Sequence, residues 1–195
     1  MIRVPEGQRV LPRCRIRPYR DGDFEVCAEI FRLNEGKHFP VGLFEDFAEK
    51  LRVEEKRPLE LVAEVDGEVR AYGGITRQIG ERRASLSYGM VHPEFQKQGF
   101  GTAVLLARVV ALGKPKWDWV VALTSAGPSA AFYDRFGFRY TGQYKFDEPV
   151  KMELDNYAAT VTAKAWSECD EFVRNSDVSF DASEVSVPER DLLAG

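Results

Sequence analysis

The chain has 195 residues with 44% hydrophobic and 30% charged side chains, which is ordinary for a globular protein and excludes a fibrous or wholly disordered chain. Its length suits one domain with an extension. The net charge of −4 disfavours a nucleic-acid partner, because binding to phosphates favours a basic protein surface.

The N-terminal part of the chain is predicted to contain one strand and two helices. Residues 1–12 are expected to be an irregular lead-in, and residues 13–18 alternate polar and apolar side chains as a short strand does. Apolar residues recur at helical spacing over 21–36, between a capping aspartate and a glycine. A second amphipathic helix is expected over 43–54.

Three antiparallel strands are predicted between residues 59 and 91. Residues 59–65 and 68–76 flank Asp66-Gly67, a dipeptide that strongly signals a hairpin turn. A second turn is expected at Gly80-Glu81, followed by a strand over 84–91.

The rest of the domain is predicted to alternate helices and strands. A helix is expected over 102–112, and the apolar run 117–124 is typical of a buried strand. A short helix over 128–136 precedes a closing antiparallel pair of strands within 138–154. The stretch 84–124 is long enough for a parallel βαβ unit inside an otherwise antiparallel sheet.

Residues 155–195 are predicted to form a helical and acidic C-terminal extension. Apolar residues at helical spacing from Tyr157 to Phe172 indicate an amphipathic helix, and residues 176–195 are expected to be loosely held. One hypothesis is that residues 155–175 form the interface of a homodimer.

The loop between residues 91 and 103 carries the strongest functional signal. Its glycines, Gly99 and Gly101, let the backbone approach a ligand, and it leads directly into a predicted helix. A helix N-terminus offers unpaired N–H groups and the positive end of the helix dipole, which suit a phosphate. The dinucleotide fingerprint fails because Val104 stands at its third glycine, and the P-loop sequence is absent.

Two motifs, in this order, resemble those of the GNAT superfamily of acyl-CoA-dependent N-acyltransferases. Gln96-Lys97-Gln98-Gly99-Phe100-Gly101 matches the Q/R-x-x-G-x-G/A signature, and the segment 129–138 (SAAFYDRFGF) resembles the A-x-x-[LF]-Y-x-x-x-G-F motif. The resemblance covers 13–154, which divides the chain into the lead-in 1–12, a GNAT domain 13–154 and the extension 155–195. It implies an α+β fold with three layers (α/β/α), a mixed, mostly antiparallel sheet with a splayed parallel pair, and a C-terminal helical extension.

The resemblance also implies where acetyl-CoA binds. In this family the loop amides bind the pyrophosphate of coenzyme A, and pantetheine lies between the splayed strands. Met90 and Val91 are therefore expected to pair with the pantetheine amides, and Gly89 to mark the bulge that opens the gap. The other implied binding residues belong to the two motifs: Gln96, Lys97, Gln98, Gly99, Phe100, Gly101, Thr102 and Phe132. No metal is implied.

The implied reaction is direct attack of a primary amine on the thioester, which requires a base for the amine and an acid for the leaving thiolate. Tyr133 stands at the family's general-acid position, and a phenol of pKa about 10 can protonate a thiolate. The base stays open among residues on or near the central strand and the first helical region: Glu81, Ser87, Tyr88, Glu94 and His38.

One position departs from the family pattern. Ala126 stands where the family often has an asparagine that contacts pantetheine, so that contact is lost or passes to Ser125 or Ser129. The alternative function is therefore a non-catalytic acyl-CoA-binding or interaction module on the same fold.

Cysteine usage and hydropathy indicate the setting. Cys14, Cys27 and Cys169 are widely spaced and lack a flanking catalytic pattern, so neither a disulfide framework, a structural zinc site nor an acyl-cysteine route is expected. No apolar run approaches the roughly 18 residues of a membrane span. We expect a cytoplasmic enzyme with an amine acceptor as its partner, and neither nucleic acid nor membrane.

Overall fold

The computed structural model describes residues 1–53, 59–78, 83–113, 119–125, 129–146 and 152–182. The strands are β1 (Cys14–Pro18), β2 (Leu59–Val65), β3 (Glu68–Gln78), β4 (Arg83–Val91), β5 (Trp119–Ser125), β6 (Arg139–Phe146), β7 (Met152–Val161) and β8 (Val178–Phe180). The helices are α1 (Phe24–Asn34), α2 (Phe44–Arg52), α3 (Phe100–Ala111), α4 (Ala130–Arg135) and α5 (Ala163–Arg174). All eight strands join one sheet in the order β6-β7-β5-β4-β3-β2-β1-β8.

The sheet is mixed, as predicted. β4 and β5 are parallel, and their described residues pair only from Arg83 opposite Val120 to Leu86 opposite Leu123. The remaining residues of β4 therefore diverge from β5, which confirms the splayed parallel pair. A second parallel pair, β1 with β8, was not predicted.

The hairpin between β2 and β3 follows from its turn residues. Asp66 and Gly67 both have positive φ, 51° and 82°, as a type I′ turn requires. This turn sets the antiparallel register in which Val65 lies opposite Glu68. The structure gives β2 the predicted bounds, whereas the predicted turn at Gly80-Glu81 lies outside the described residues.

Helices cover both faces of the sheet. On one face α3 is buried along nearly its whole length, because α5 packs on its outer side and Trp166 Nε1 donates to the carbonyl of Val110 at 3.2 Å. On the other face α1 and α2 pack their phenylalanines, among them Phe31 and Phe47, against β3 and β4. These layers confirm the three-layer α/β/α fold.

The predicted extension begins too early. Tyr157 and Val161 belong to β7, where they lie opposite Leu123 and Trp119 of β5, so the boundary predicted after residue 154 cuts through a strand of the sheet. The helix begins only at Ala163, because the Thr162 hydroxyl accepts a hydrogen bond from the N–H of Ala165 at 3.2 Å. A spacing of four residues fits a helix face, but it also fits one face of a strand.

The apolar side of α5 faces its own chain. Ala165, Cys169 and Val173 are buried in the same core cluster as α3. The apolar stripe that suggested a homodimer interface is thus covered by the chain itself. Part of the segment predicted to be loosely held forms β8 beside β1.

The lead-in is irregular, as predicted, but it is anchored to the domain. The N–H of Ile2 donates to the carbonyl of Thr160 at 2.8 Å, and the N–H of Arg3 donates to the carbonyl of Phe136 at 3.0 Å. The side chains of Ile2 and Leu11 are buried in the main core. The residues between these two anchors are therefore held over the surface, where they border the cleft described below.

No helix in the described ranges is long and apolar enough to cross a membrane.

Candidate active site

A cleft of about 700 Å³ lies beside the C-terminal end of β4. Its wall combines the lead-in, the ends of α1 and β4, the glycine loop, α3 and α4. From outside the two motifs it includes residues 5–10, Asn34, His38, Tyr72 and Arg108. The topology thus brings together segments that are far apart in the sequence.

A β-bulge directs β4 along this cleft. Tyr72 lies opposite Met90 and Gly74 opposite Ser87, so Tyr88 and Gly89 together oppose the single residue between the β3 partners. The predicted bulge at Gly89 is confirmed. Its left-handed residue, however, is Tyr88 with a φ of 47°, a conformation that costs a non-glycine residue about 1–2 kcal/mol. Such strain is typical of functional sites.

The glycine loop presents unpaired backbone amides. The first intrahelical bond of α3 runs from the N–H of Ala103 to the carbonyl of Gly99 at 2.9 Å, and no side chain caps the helix start. The N–H groups of Phe100, Gly101 and Thr102 therefore lack an acceptor four residues back. Lys97 and Gly99 both have positive φ, which turns the backbone around this point. The arrangement suits an anion such as pyrophosphate.

Gly99 is required for two separate reasons. Its φ of +98° is unfavourable for any residue with a Cβ, and a Cβ there would stand 2.9 Å from Cδ of Pro12 in the lead-in. We expect Gly99→Ala to weaken acetyl-CoA binding about tenfold, because the loop amides and the lead-in must shift. Calorimetric titration with acetyl-CoA measures the change.

The matched control is Gly113→Ala at the other end of α3. Gly113 also has a positive φ, +80°, but a Cβ there meets no atom of the described residues within 4 Å. This variant carries similar strain and should bind acetyl-CoA as the wild type does. Equal affinities of Gly99→Ala and the wild type would contradict the role assigned to the loop.

Most residues predicted to bind acetyl-CoA line this cleft. They are Met90, Val91, Gln96, Lys97, Gln98, Gly99, Gly101, Thr102 and Phe132. Phe100 is the exception, since its side chain is buried in the core with its ring 6.2 Å from that of Phe95. Only its backbone N–H remains for a ligand. Ser129 also lines the cleft, whereas Ala126 lies outside the described residues.

The side chain of Gln96 anchors the loop. Its Nε2 donates to Oδ1 of Asn34 at 3.0 Å and to the carbonyl of Val91 at 3.4 Å. Asn34 Nδ2 donates to the same carbonyl at 3.1 Å. The Val91 carbonyl thus fastens the loop to α1, a role that the sequence did not predict.

Tyr133 reaches the cleft from α4. The residue is only 5% exposed, and its hydroxyl meets the guanidinium of Arg108. Burial raises the pKa of the phenol, while the neighbouring Arg108 opposes this rise. The hydroxyl is therefore protonated at neutral pH, as an acid must be before it acts.

Among the open candidates for the base that the structure describes, His38 is the one that lines the cleft. Its backbone N–H donates to the carbonyl of Asn34 at 2.8 Å, which fixes the turn after α1. Its Nε2 is buried and has no hydrogen-bond partner in the described part of the chain. Burial, aided by Lys37, lowers the pKa of the imidazole. A neutral imidazole is the form that accepts a proton.

The other candidate bases are placed less favourably. Glu94 is exposed on a 3₁₀ turn, and Glu81 lies outside the described residues. The Ser87 hydroxyl accepts a hydrogen bond from Lys50 Nζ at 2.6 Å. Tyr88 packs among the aromatic rings under α1 and α2, and burial raises its pKa to about 12.

Two buried charged residues near the cleft could not be identified from the sequence. One is Arg108 in α3. The other is Glu60 in β2, whose Oε1 lies 2.6 Å from Lys50 Nζ and whose Oε2 accepts a hydrogen bond from the Tyr72 hydroxyl. Burial raises the pKa of the Glu60 carboxyl, although Lys50 opposes the rise. Nothing in the local spacing of these residues shows that the fold will bring them together.

The cysteines are poorly suited to nucleophilic attack. All three are buried, and burial raises the thiol pKa of Cys14 to about 11 and of Cys169 to about 12. Burial also raises the pKa of Cys27. Because the thiolate is the reactive form, these shifts support direct transfer. In the described ranges no group of three or more His, Cys, Asp or Glu could hold a metal ion.

Residues 59–140 match the family model of the acetyltransferase (GNAT) domain. This segment of the chain is similar to GNAT acetyltransferase domains. The match extends from β2 past α4, so it includes the bulge, the glycine loop and Tyr133. The match supports an acyltransferase activity, and acetyl-CoA is the donor that the GNAT family uses.

Solved structures share the fold at low sequence identity. The ribosomal-protein-S18-alanine N-acetyltransferase from Escherichia coli has 22% identity and a TM-score of 0.57, covering 75% of this chain and 93% of that one. A phosphinothricin acetyltransferase from Sinorhizobium meliloti in complex with AcCoA has 19% identity and a TM-score of 0.56, covering 77% and 90%. An acetyltransferase from Salmonella typhimurium with its cofactor acetyl-CoA has 18% identity and a TM-score of 0.53, covering 78% and 95%. A search of the curated proteins finds no significant match.

Proposed function

We propose that this chain transfers the acetyl group of acetyl-CoA to a primary amine of a small molecule or peptide by direct attack. The observation that carries the proposal is the buried hydroxyl of Tyr133 in the same cleft as the glycine loop. The loop suits the pyrophosphate and the hydroxyl suits the leaving thiolate, so one cleft offers both functions that the donor needs.

Cations gather where the phosphates of acetyl-CoA would lie. Lys97 of the loop, Arg135 of α4 and Arg9 of the lead-in all line the cleft. Arg135 Nη2 donates to Oε1 of Gln8 at 3.1 Å, which ties α4 to the lead-in. This set supports binding of a polyanion by a combination of side-chain charge and loop amides.

The reaction balances without a covalent enzyme intermediate. The amine nitrogen attacks the thioester carbon, so a C–N bond forms and the C–S bond breaks. His38 accepts the proton that the amine loses, and Tyr133 donates a proton to the sulfur, which leaves as the free thiol. An N–H of the β4 bulge near Met90 polarises the acetyl oxygen. Solvent then takes the extra proton from His38 and restores the proton of Tyr133.

The acceptor is proposed only as a class. The net charge of −4 mildly favours a cationic amine, such as an aminoglycoside, a small amine, a lysine side chain or a peptide N-terminus. The setting proposed for this activity is the cytoplasm.

A two-stage experiment tests the function. Calorimetry first measures the binding of acetyl-CoA and of free CoA, and a thiol-reactive dye then measures CoA release with a panel of amines. Binding followed by amine-dependent thiol release is expected. Absence of binding up to millimolar concentration contradicts the proposal, and binding without turnover on a broad panel favours the non-catalytic acyl-CoA-binding or interaction module.

A further inference from the structure

Arg108 is an unusual residue to find in the middle of a buried helix. It is only 1% exposed, and its guanidinium donates to three carbonyls, those of Val104, Gly74 and Ser87, at 3.3, 3.3 and 3.5 Å. No carboxylate of the described residues forms an ion pair with it. A buried charge without a counterion is costly, so its retention calls for a function that needs a fixed positive charge.

Two glycines of the sheet make room for this side chain. A Cβ at Gly73 of β3 would lie 2.9 Å from Arg108 Nε, and one at Gly89 of β4 would lie 2.9 Å from Nη2. The same Cβ at Gly89 would lie 3.3 Å from the Tyr133 hydroxyl. The guanidinium and the phenol therefore meet over the β4 bulge, beside the cleft that both line.

We propose that Arg108 is a positioning residue for the acid step of acetyl transfer. Its guanidinium orients the Tyr133 hydroxyl toward the leaving sulfur, and its fixed charge stabilises the thiolate that forms when the C–S bond breaks. The inference rests on the proposed function, since it assigns a second residue to the same step. The proton still comes from Tyr133, and Arg108 stays protonated throughout.

The charges around the phenol support this role. Arg108 of α3 is the cation that faces Tyr133, while Tyr72 of β3 and Glu60 of β2 interact with Arg108 from the sheet. Glu60 already has Lys50 as its ion partner. A cation close to a developing anion stabilises it more strongly in a site of low dielectric than it would in water.

Three variants separate orientation from charge. Arg108→Met removes both the charge and the orienting hydrogen bonds. Arg108→Lys keeps the charge but loses the planar guanidinium that orients the phenol. Arg174→Met on the exposed side of α5 is the control for loss of a cation. The first readout is the pKa of the CoA thiol in the bound complex. Thiolate absorbance during a pH titration measures this pKa. The second is kcat with an active amine.

We expect Arg108→Met to raise the pKa of the bound thiol by about one unit or more and to lower kcat about 100-fold. Arg108→Lys should keep the thiol pKa near the wild-type value and still lower kcat, because only orientation is lost. Combining Arg108→Met with Tyr133→Phe should lower kcat by less than the product of the two single effects. The orienting part of the Arg108 effect needs the Tyr133 hydroxyl, whereas the charge acts on the sulfur directly. Arg174→Met should match the wild type in both readouts.

An unchanged thiol pKa and kcat in Arg108→Met would overturn the inference. If that variant does not fold, as thermal unfolding will show, Arg108→Lys decides: a kcat equal to the wild type excludes the orienting role. If CoA binds but no amine is acetylated, the proposed function fails on turnover. The thiol titration of Arg108→Met, or of Arg108→Lys if only that variant folds, still decides whether Arg108 acts on the sulfur.

Discussion

Tyr133→Phe is expected to lower kcat by about 10²–10⁴-fold, the usual contribution of a positioned acid. The phenol lies in the cleft with its hydroxyl against Arg108, so removing one oxygen atom deletes the proton donor and leaves the ring packing intact. Acetyl-CoA affinity should stay within about threefold, because the loop amides and not the phenol bind the pyrophosphate. Steady-state kinetics and calorimetry measure the two effects separately.

The pH profile distinguishes an acid from a packing residue. The pKa of Tyr133 lies above its ordinary value of 10, so a phenol acting as acid keeps its proton at neutral pH and loses activity only in the strongly alkaline range. Tyr133→Phe should abolish that alkaline decline along with most of kcat. Tyr140→Phe is the control, since Tyr140 is 55% exposed and does not line the cleft. Equal kcat values for Tyr133→Phe and the wild type at every pH would contradict the acid role.

Local sequence chemistry predicted much of the fold. The type I′ turn at Asp66-Gly67 and the helix start at the glycine loop both depend on backbone conformations that few residues adopt, so their positions are visible in the sequence. The β4 bulge was predicted from Gly89, yet the residue in the left-handed region is Tyr88. Bulky residues in that conformation depend on the surrounding structure, and composition gives no sign of it.

Long-range contacts account for what the sequence did not predict. From the sequence alone, Arg108 would be expected on the solvent-exposed side of its helix. In the fold its side chain is buried, because Gly73 and Gly89 leave room for it. The continuation of β7 to Val161 likewise depends on pairing with β5, because an apolar spacing of four residues fits a strand as well as a helix. The sequence motifs located the cleft, and the topology supplied the charge behind Tyr133.

The two histidines of this chain provide a direct test of the base. His38 lines the cleft with an unpartnered, buried Nε2, whereas His92 lies outside it and uses Nδ1 to accept a hydrogen bond from the N–H of Glu94 at 3.4 Å. We expect His38→Gln to lower kcat/KM for the amine by about 10²–10³-fold at neutral pH, because the attacking amine loses its proton acceptor. Acetyl-CoA affinity should be unchanged, and His92→Gln should retain the wild-type rate.

The loss of activity at low pH shows whether protonation of His38 inactivates the enzyme. Burial lowers the pKa of His38 below 6.5, so the imidazole stays neutral at neutral pH and activity is lost only as the pH falls through that lowered value. The amine also gains a proton on acidification, so rates must be expressed per free amine to isolate the enzyme's own limb. On that scale His38→Gln should show no histidine limb. A limb that persists in His38→Gln assigns the base elsewhere, and Glu81 and Glu94 are then the next residues to replace.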